Sequence, residues 1–145
     1  MESVIQFTKE DIKDQEMLHR MVQEEAKRIY ESAQARKGRS WKVIEGKVWQ
    51  GKPAEVWLIE NMGYTVAPPV TNAKGDLTYY HDLIDPNGMD ITEVKAWNPN
   101  YITTGVESTV YKIKSGTWNM STQMIVFAYE PQEYRYTYVD KIKIR

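Results

Sequence analysis

The sequence predicts a mixed α/β fold: one mixed sheet flanked by helices, with a helical extension at the N-terminus. Three observations lead there. Apolar residues recur at steps of three and four until about Met62, β-forming residues and turn signals take over from Tyr64, and a short helical stretch near Val106 interrupts the strands. Helices followed by strands around one further helix suggest a sheet covered by helices. The 145 residues are enough for one ordinary domain and too few for two. We expect residues 1–40 to form the extension and 41–145 the core.

The elements follow in order. Thr8 with Asp11 three residues on reads as a capping box. Behind it Leu18, Met21, Val22, Ala26, Ile29, Tyr30 and Ala33 make an apolar stripe, so a helix is expected from Lys9 to Ala35. Gln34 to Arg39 is a basic connection. A second helical region runs from Ser40 to Met62 through Trp41, Ile44, Val48, Val56 and Ile59; Pro53 should kink it or open a fresh helix. Gly63 is the stop. Strands are expected at Tyr64 to Ala67, Leu77 to Ile84 and Met89 to Ala96, joined by turns at Asn72 to Asp76 and Asp85-Pro86-Asn87-Gly88. A helix from Val106 to Lys114 precedes two more strands, Gln123 to Tyr129 and Tyr134 to Ile144.

Composition removes several chemistries. The chain has no cysteine, which excludes disulfides, zinc–thiolate sites and a cysteine nucleophile. Its two histidines, His19 and His81, are too few for a histidine-rich metal site, and His19 reads as a face residue of the first helix. No serine-hydrolase elbow, phosphate-binding glycine loop or dinucleotide fingerprint is present. No apolar run is long enough to span a bilayer and the N-terminus lacks a signal-peptide layout, so a cytoplasmic protein without a membrane partner is expected. A net charge of −1 gives no global attraction to nucleic acid. Local basic clusters, including Lys37, Arg39 and Lys42, are either solvated faces or contacts to such a partner.

The chemistry concentrates between Tyr79 and Trp97. Folding this segment about the Asp85–Gly88 turn sets Asp82 near Glu93 on the neighbouring strand, and alternation along the strand puts Glu93 and Lys95 on one face. Two facing carboxylates repel; a hard divalent cation such as Mg²⁺, which takes oxygen ligands, relieves that repulsion. An adjacent lysine can orient or deprotonate water and stabilise charge on a phosphate, the components of metal-assisted phosphodiester hydrolysis. Acid-x-Lys triplets also occur at Asp11-Ile12-Lys13, Glu25-Ala26-Lys27 and Glu45-Gly46-Lys47, but all three fall in predicted helices. Asp85 reads as a turn-former.

The pattern of Asp82 on one strand and Glu93-Val94-Lys95 on the next resembles the PD-(D/E)xK nuclease superfamily. His81-Asp82, Pro86-Asn87-Gly88 and Glu93-Val94-Lys95 are most similar to the metal-site hairpin of the phage endonuclease I family of Holliday-junction resolvases. The resemblance covers about Lys47 to Tyr129, and His81 stands where the motif has proline. It implies a restriction-endonuclease-like fold and a Mg²⁺-dependent DNA endonuclease, with Mn²⁺ as a substitute. Asp82 and Glu93 would ligate the metal, Val94 would offer its carbonyl, and Lys95 would be the catalytic lysine. Superfamily members often add a glutamate from the preceding helix, which implies Glu55, with Glu45 and Glu60 as alternatives. A bacterial or phage-infected cell would be the setting.

Candidate nucleic-acid contacts are Lys37, Arg39, Lys42, Lys52 and His81. The first 40 residues have no counterpart in the resemblance; they are expected to supply a homodimer interface, a DNA-binding arm or both, or else to pack their stripe on the same chain. The alternative from another class is a nucleic-acid-binding or protein-interaction module that keeps the fold without cutting.

Overall fold

A computed structural model describes residues 4–68, 70–71, 77–79, 82–116 and 120–145. Strand β1 (Gln6–Thr8) leads into a 3₁₀ turn at Lys9–Asp11, then helices α1 (Gln15–Glu31), α2 (Ala33–Arg36) and α3 (Trp41–Met62). Short strands β2 (Thr65–Val66), β3 (Val70–Thr71), β4 (Leu77–Tyr79) and β5 (Leu83–Ile84) precede β6 (Ile91–Trp97). A second 3₁₀ turn (Pro99–Tyr101), helix α4 (Ile102–Lys114) and strands β7 (Gln123–Glu130) and β8 (Arg135–Lys143) complete the order. The main sheet runs β1-β8-β7-β6-β5-β2, and β3 pairs with β4 apart from it. All pairs are antiparallel except β6 with β7. A parallel pair needs a crossover, and α4 provides it.

Alternation along β7 divides the sheet between two helical covers. Ile125, Phe127 and Tyr129 join Val94 and Ala96 of β6 against Ala54 and Leu58 of α3. Met124 and Val126 face Ile113, with Ile102, Val106 and Val110 of α4 packed alongside. Gly105 lets α4 approach closely: a Cβ there would lie 2.8 Å from the Trp97 ring. On the far side of α3, Leu18, Val22 and Ala26 of α1 close a second core with Ile44, Val48 and Val56. The apolar stripe of α1 is therefore covered by α3 of the same chain. Among the described residues no helix is long and apolar enough to cross a membrane.

The first helix differs from its expected span. Asp11 does accept the Thr8 N–H at 2.8 Å, but this box closes only the 3₁₀ turn. The Glu60 carboxylate, from the end of α3, takes the N–H groups of Lys13 and Asp14 at 2.9 and 2.8 Å. Those donors are thereby satisfied outside a helix, and α1 begins with Asp14 as its cap, its side chain accepting from Met17 N–H at 2.9 Å. Ser32 ends α1 and caps α2 through the Ala35 N–H.

The helix α3 is continuous through Pro53, where a kink or restart was expected. Proline has no N–H for the Trp49 carbonyl. The Tyr136 hydroxyl, from β8, reaches that region and donates to Gln50 O at 2.7 Å, with Trp49 O at 3.4 Å. Gly63, at φ 77°, ends the helix in the left-handed conformation.

The expected strand from Leu77 to Ile84 is two strands: β4 belongs to the small hairpin and β5 to the main sheet. The predicted turn at Asn72 to Asp76 lies outside the described residues. Edge strand β1 was not anticipated; three residues carry no measurable period, and Phe7 is held there by ring stacking on Trp57 at 4.8 Å and Tyr136 at 5.2 Å. In the other direction α4 starts four residues earlier than its apolar period suggested.

Tyr136→Phe should lower stability by about 1–2 kcal/mol, because it removes the hydroxyl of a fully buried side chain from the helix carbonyls beside Pro53. The midpoint of urea unfolding measures it, and an unchanged midpoint would show that α3 tolerates Pro53 without help from β8.

Candidate functional site

The hairpin of β5 and β6 positions the first half of the site. Asp85 shapes its turn: the carboxylate accepts from Met89 N–H at 2.9 Å and Asp90 N–H at 3.0 Å, and Gly88 adopts φ 71°. The Asp90 N–H, with Met89 beside it, holds the Asp85 carboxyl below its ordinary pKa. Leu83 pairs with Thr92 and Ile84 with Ile91, so one step further out Asp82 stands opposite Glu93. Asp82 Oδ2 accepts the Val94 N–H at 2.7 Å. The acid just ahead of β5 is thus bonded to the middle residue of Glu93-Val94-Lys95 on β6. Glu93 is 4% exposed, and Lys95 Nζ lies 3.5 Å from its Oε1.

The second half comes from the helices. Lys52 and Glu55 lie three residues apart on α3, both buried. Lys52 Nζ is 3.1 Å from Glu55 Oε2 and 3.0 Å from Oε1 of Glu25, which reaches across from α1. Glu25, Lys52, Glu55 and Asp82 line one cavity of about 270 Å³, with the exposed residues Arg20 and Arg28 at its rim.

The electrostatics follow from burial. Desolvation pushes the Glu55 carboxyl well above the usual carboxylate range; Lys52 opposes this, while Asp82 and Glu25 add to it. Asp82 is likewise raised by burial and by Glu25, against the pull of Lys52, the Val94 N–H and Lys95. Burial alone would strip the proton from Lys52, but Glu55, Glu25 and Asp82 together hold it on, and its pKa is raised. The arrangement is an ammonium locked among carboxylates that are short of positive charge.

The structure brings Asp82, Glu55 and the Val94 backbone to one place, and pairs Glu93 with Lys95 on the adjoining strand. The two alternatives to Glu55 have other partners. Glu45 accepts from Gln23 and the Trp41 indole, and Glu60 holds the N–H groups ahead of α1. Among the expected nucleic-acid contacts, Lys37 and Lys42 are exposed. Arg39 is half-buried and donates to the carbonyls of Arg36 and Ala35. Lys52, named as a nucleic-acid contact, is buried between Glu25 and Glu55. His81 lies outside the described residues. His19 is a face residue of α1, with Gln15 O at 2.8 Å from its Nδ1.

Sequence reasoning missed Glu25 and the inward course of Lys52. The signal was present: Glu25 falls inside the stripe formed by Leu18, Val22, Ala26 and Ile29, where a charge is unexpected unless it has a buried partner.

Comparison with protein-family models, with curated proteins and with solved structures finds no match in any of the three.

The raised carboxyls give a pH dependence with a defined sign. Above about pH 4 the unfolded chain has lost these protons while the folded chain retains them, so stability falls as pH rises through that window. With divalent ions chelated, wild type should lose up to about 1.4 kcal/mol per pH unit relative to Asp82→Asn there, until the folded-state carboxyls ionise. Parallel stability–pH curves for the two proteins would show that Asp82 titrates as an ordinary surface acid.

Proposed function

We propose that the protein is a Mg²⁺-dependent endonuclease acting on DNA, with a restriction-endonuclease-like fold and a site of the PD-(D/E)xK type. The observation that carries this reading is the 2.7 Å bond from Val94 N–H to Asp82, which ties the acid immediately before β5 to the backbone of Glu93-Val94-Lys95 on β6. The motif's two strands are adjacent, antiparallel and in the register that sets Asp82 opposite Glu93.

The residues fit a hard divalent cation in donor type. Asp82 and Glu93 offer carboxylate oxygens and Val94 its carbonyl, with no nitrogen or sulfur in the set. Among the described residues no three histidines or acids lie close enough to hold an ion by themselves. Mg²⁺ does not ask for that: it keeps several waters and uses one or two carboxylates. The chemistry that Mg²⁺, or Mn²⁺ in its place, supplies when bound is Lewis-acid polarisation of a phosphodiester and a lowered pKa of bound water.

The chain's own groups do the rest. Asp82 uses one oxygen for the Val94 N–H, and a carboxylate retains further lone pairs. Glu93 keeps the Lys95 ammonium at 3.5 Å, and the 26% exposure of that side chain lets it meet a phosphate from solvent. There it would orient the attacking water and stabilise charge developing on phosphorus-bound oxygen. Glu55 acts through Lys52, behind Asp82. Lys37 and Lys42, with Arg20 and Arg28 at the cavity rim, supply local attraction for a polyanion that a net charge of −1 does not. A homodimer belongs to the proposal on the ground that two-strand cutting needs two sites.

Purified protein should cleave at least one of a set of duplex, branched and single-stranded DNAs with Mg²⁺ or Mn²⁺, and stop on addition of EDTA. Lys95→Ala should reduce the rate by about 10²-fold or more while leaving the melting temperature and most DNA binding unchanged. Near wild-type cleavage in that variant would remove Lys95 from the chemistry. An absence of metal-dependent cleavage on every substrate would favour a binding module that retains the fold.

A further inference from the structure

We propose that the cavity between α1, α3 and β2 receives a guanine base of the DNA, unstacked and read on its pairing edge. The proposal rests on the reading of DNA as the substrate and adds which base the centre takes. Two features of the cavity carry it, its size and the order of its lining. The cavity measures about 270 Å³. A closed apolar cavity of roughly 150 Å³ holds a benzene ring, so this space suits a two-ring heterocycle. Met17 and Met21 of α1, Ile59 of α3 and Val66 of β2 form its walls. Thioether and aliphatic groups pack well on the faces of a flat ring. The polar groups divide by depth: Lys52 and Glu55 are buried with Glu25 half-buried beside them, whereas Arg20 and Arg28 are exposed.

The inner end repels a phosphate, because its carboxylates outnumber the ammonium. What it suits is an uncharged group that offers hydrogen-bond donors beside an acceptor. Lys52 Nζ lies 3.0 Å from Glu25 Oε1, and a carboxylate has about four acceptor sites, so this ion pair leaves Glu25 able to accept further bonds. Guanine's pairing edge carries two adjacent donors, N1–H and the N2 amino group, next to the acceptor O6. A carboxylate beside an ammonium matches that order: Glu25 accepts from the two donors, and the charge of Lys52 lies on the side of O6. Adenine and cytosine offer one amino group beside a bare ring nitrogen, and thymine's single N–H is flanked by carbonyls that a carboxylate repels. At the mouth Arg20 and Arg28 are placed for the phosphates on either side of the base. Arg20 is 3.9 Å from Glu24 through Nε, and a guanidinium has five N–H donors. Asp82 lines the same cavity and belongs to the hairpin of the hydrolytic centre. The bound guanine therefore adjoins the phosphodiester to be cut, and taking a base out of the stack to read its pairing edge is an established way for enzymes to select nucleotides.

The test is DNA binding to the full-length protein in EDTA, read by fluorescence anisotropy, so that no cleavage enters the measurement. The probes are single-stranded thymine oligonucleotides with one central guanine, hypoxanthine or adenine. Hypoxanthine differs from guanine only in lacking the N2 amino group. The guanine strand should bind about tenfold or more tighter than the other two, the effect of one buried hydrogen bond to a charged acceptor. Met21→Trp, which fills the cavity and leaves its charges in place, should bring the guanine strand down to the affinity of the hypoxanthine strand, and Glu25→Gln should do the same. Equal binding of guanine and hypoxanthine by wild type would overturn the proposal, as would a guanine preference that survives in Met21→Trp. Should Glu25→Gln fail to fold, wild type and Met21→Trp decide; should both variants fail, the comparison of guanine with hypoxanthine on wild type decides. Cleavage with Mg²⁺ but no guanine preference would overturn the base pocket and leave the nuclease reading standing. A guanine preference in EDTA without cleavage in Mg²⁺ would support the pocket and count against the nuclease. Failure to bind any of the strands would overturn the pocket.

Discussion

The buried ammonium of Lys52 is the interaction on which the arrangement of this molecule turns. It joins α1 to α3 through Glu25 and Glu55, and it lies where both helices meet the open end of the β5–β6 hairpin. A buried ion pair is rarely a net source of stability, because desolvation offsets the Coulomb attraction; removing one partner, however, typically costs about 3–5 kcal/mol. Such a group acts by excluding alternatives. With Glu25 inside the apolar stripe of α1, only one rotation and one register of α1 on α3 supply its counter-ion. The helix pair and the cavity are therefore specified together.

The hairpin imposes a second constraint. Asp85 organises the turn through two backbone N–H groups, and the turn sets the register that brings Asp82 opposite Glu93. The direction of β6 is fixed further along the sheet, where it runs parallel to β7 from Thr92 with Gln123 to Trp97 with Ala128. The crossover helix α4 can lie close over the end of β6 because Gly105 leaves room for the Trp97 ring. The acid-x-Lys segment is thus clamped at one end by a turn and along its length by a parallel neighbour, which suits a site whose oxygens must keep their spacing.

Much of the site was legible locally. Asp82, Glu93 and Lys95 stand out because a turn signal separates two short β-patterned runs and because a strand repeats its faces every second residue. Glu55 emerged only through a resemblance, Lys52 was read as a contact to nucleic acid, and Glu25 was passed over, although a charge within an apolar stripe is a visible anomaly. Seen singly, Lys52 reads as one more basic residue. Its burial follows from the pairing of α1 with α3, which no local period reports. The misjudged start of α1 has the same origin: the Thr8–Asp11 box is real, but Glu60, far along the chain, takes the next N–H groups and delays the helix.

The sequence by itself determined the helical stripes of α1 and α3, the stop at Gly63, the Asp85–Gly88 turn and the common face of Glu93 and Lys95. Each depends on neighbours within a few residues, through helical period, strand alternation or the φ that glycine permits. Tertiary structure alone decided that α3 continues through Pro53, that Phe7 becomes an edge strand, and that the run from Leu77 to Ile84 divides between two sheets. It alone decided that the α1 stripe is covered by α3 and that an ammonium lies among three carboxylates. These outcomes require groups distant in sequence to satisfy one another's hydrogen bonds and charges once water is removed, and that requirement has no expression in any short window of the chain.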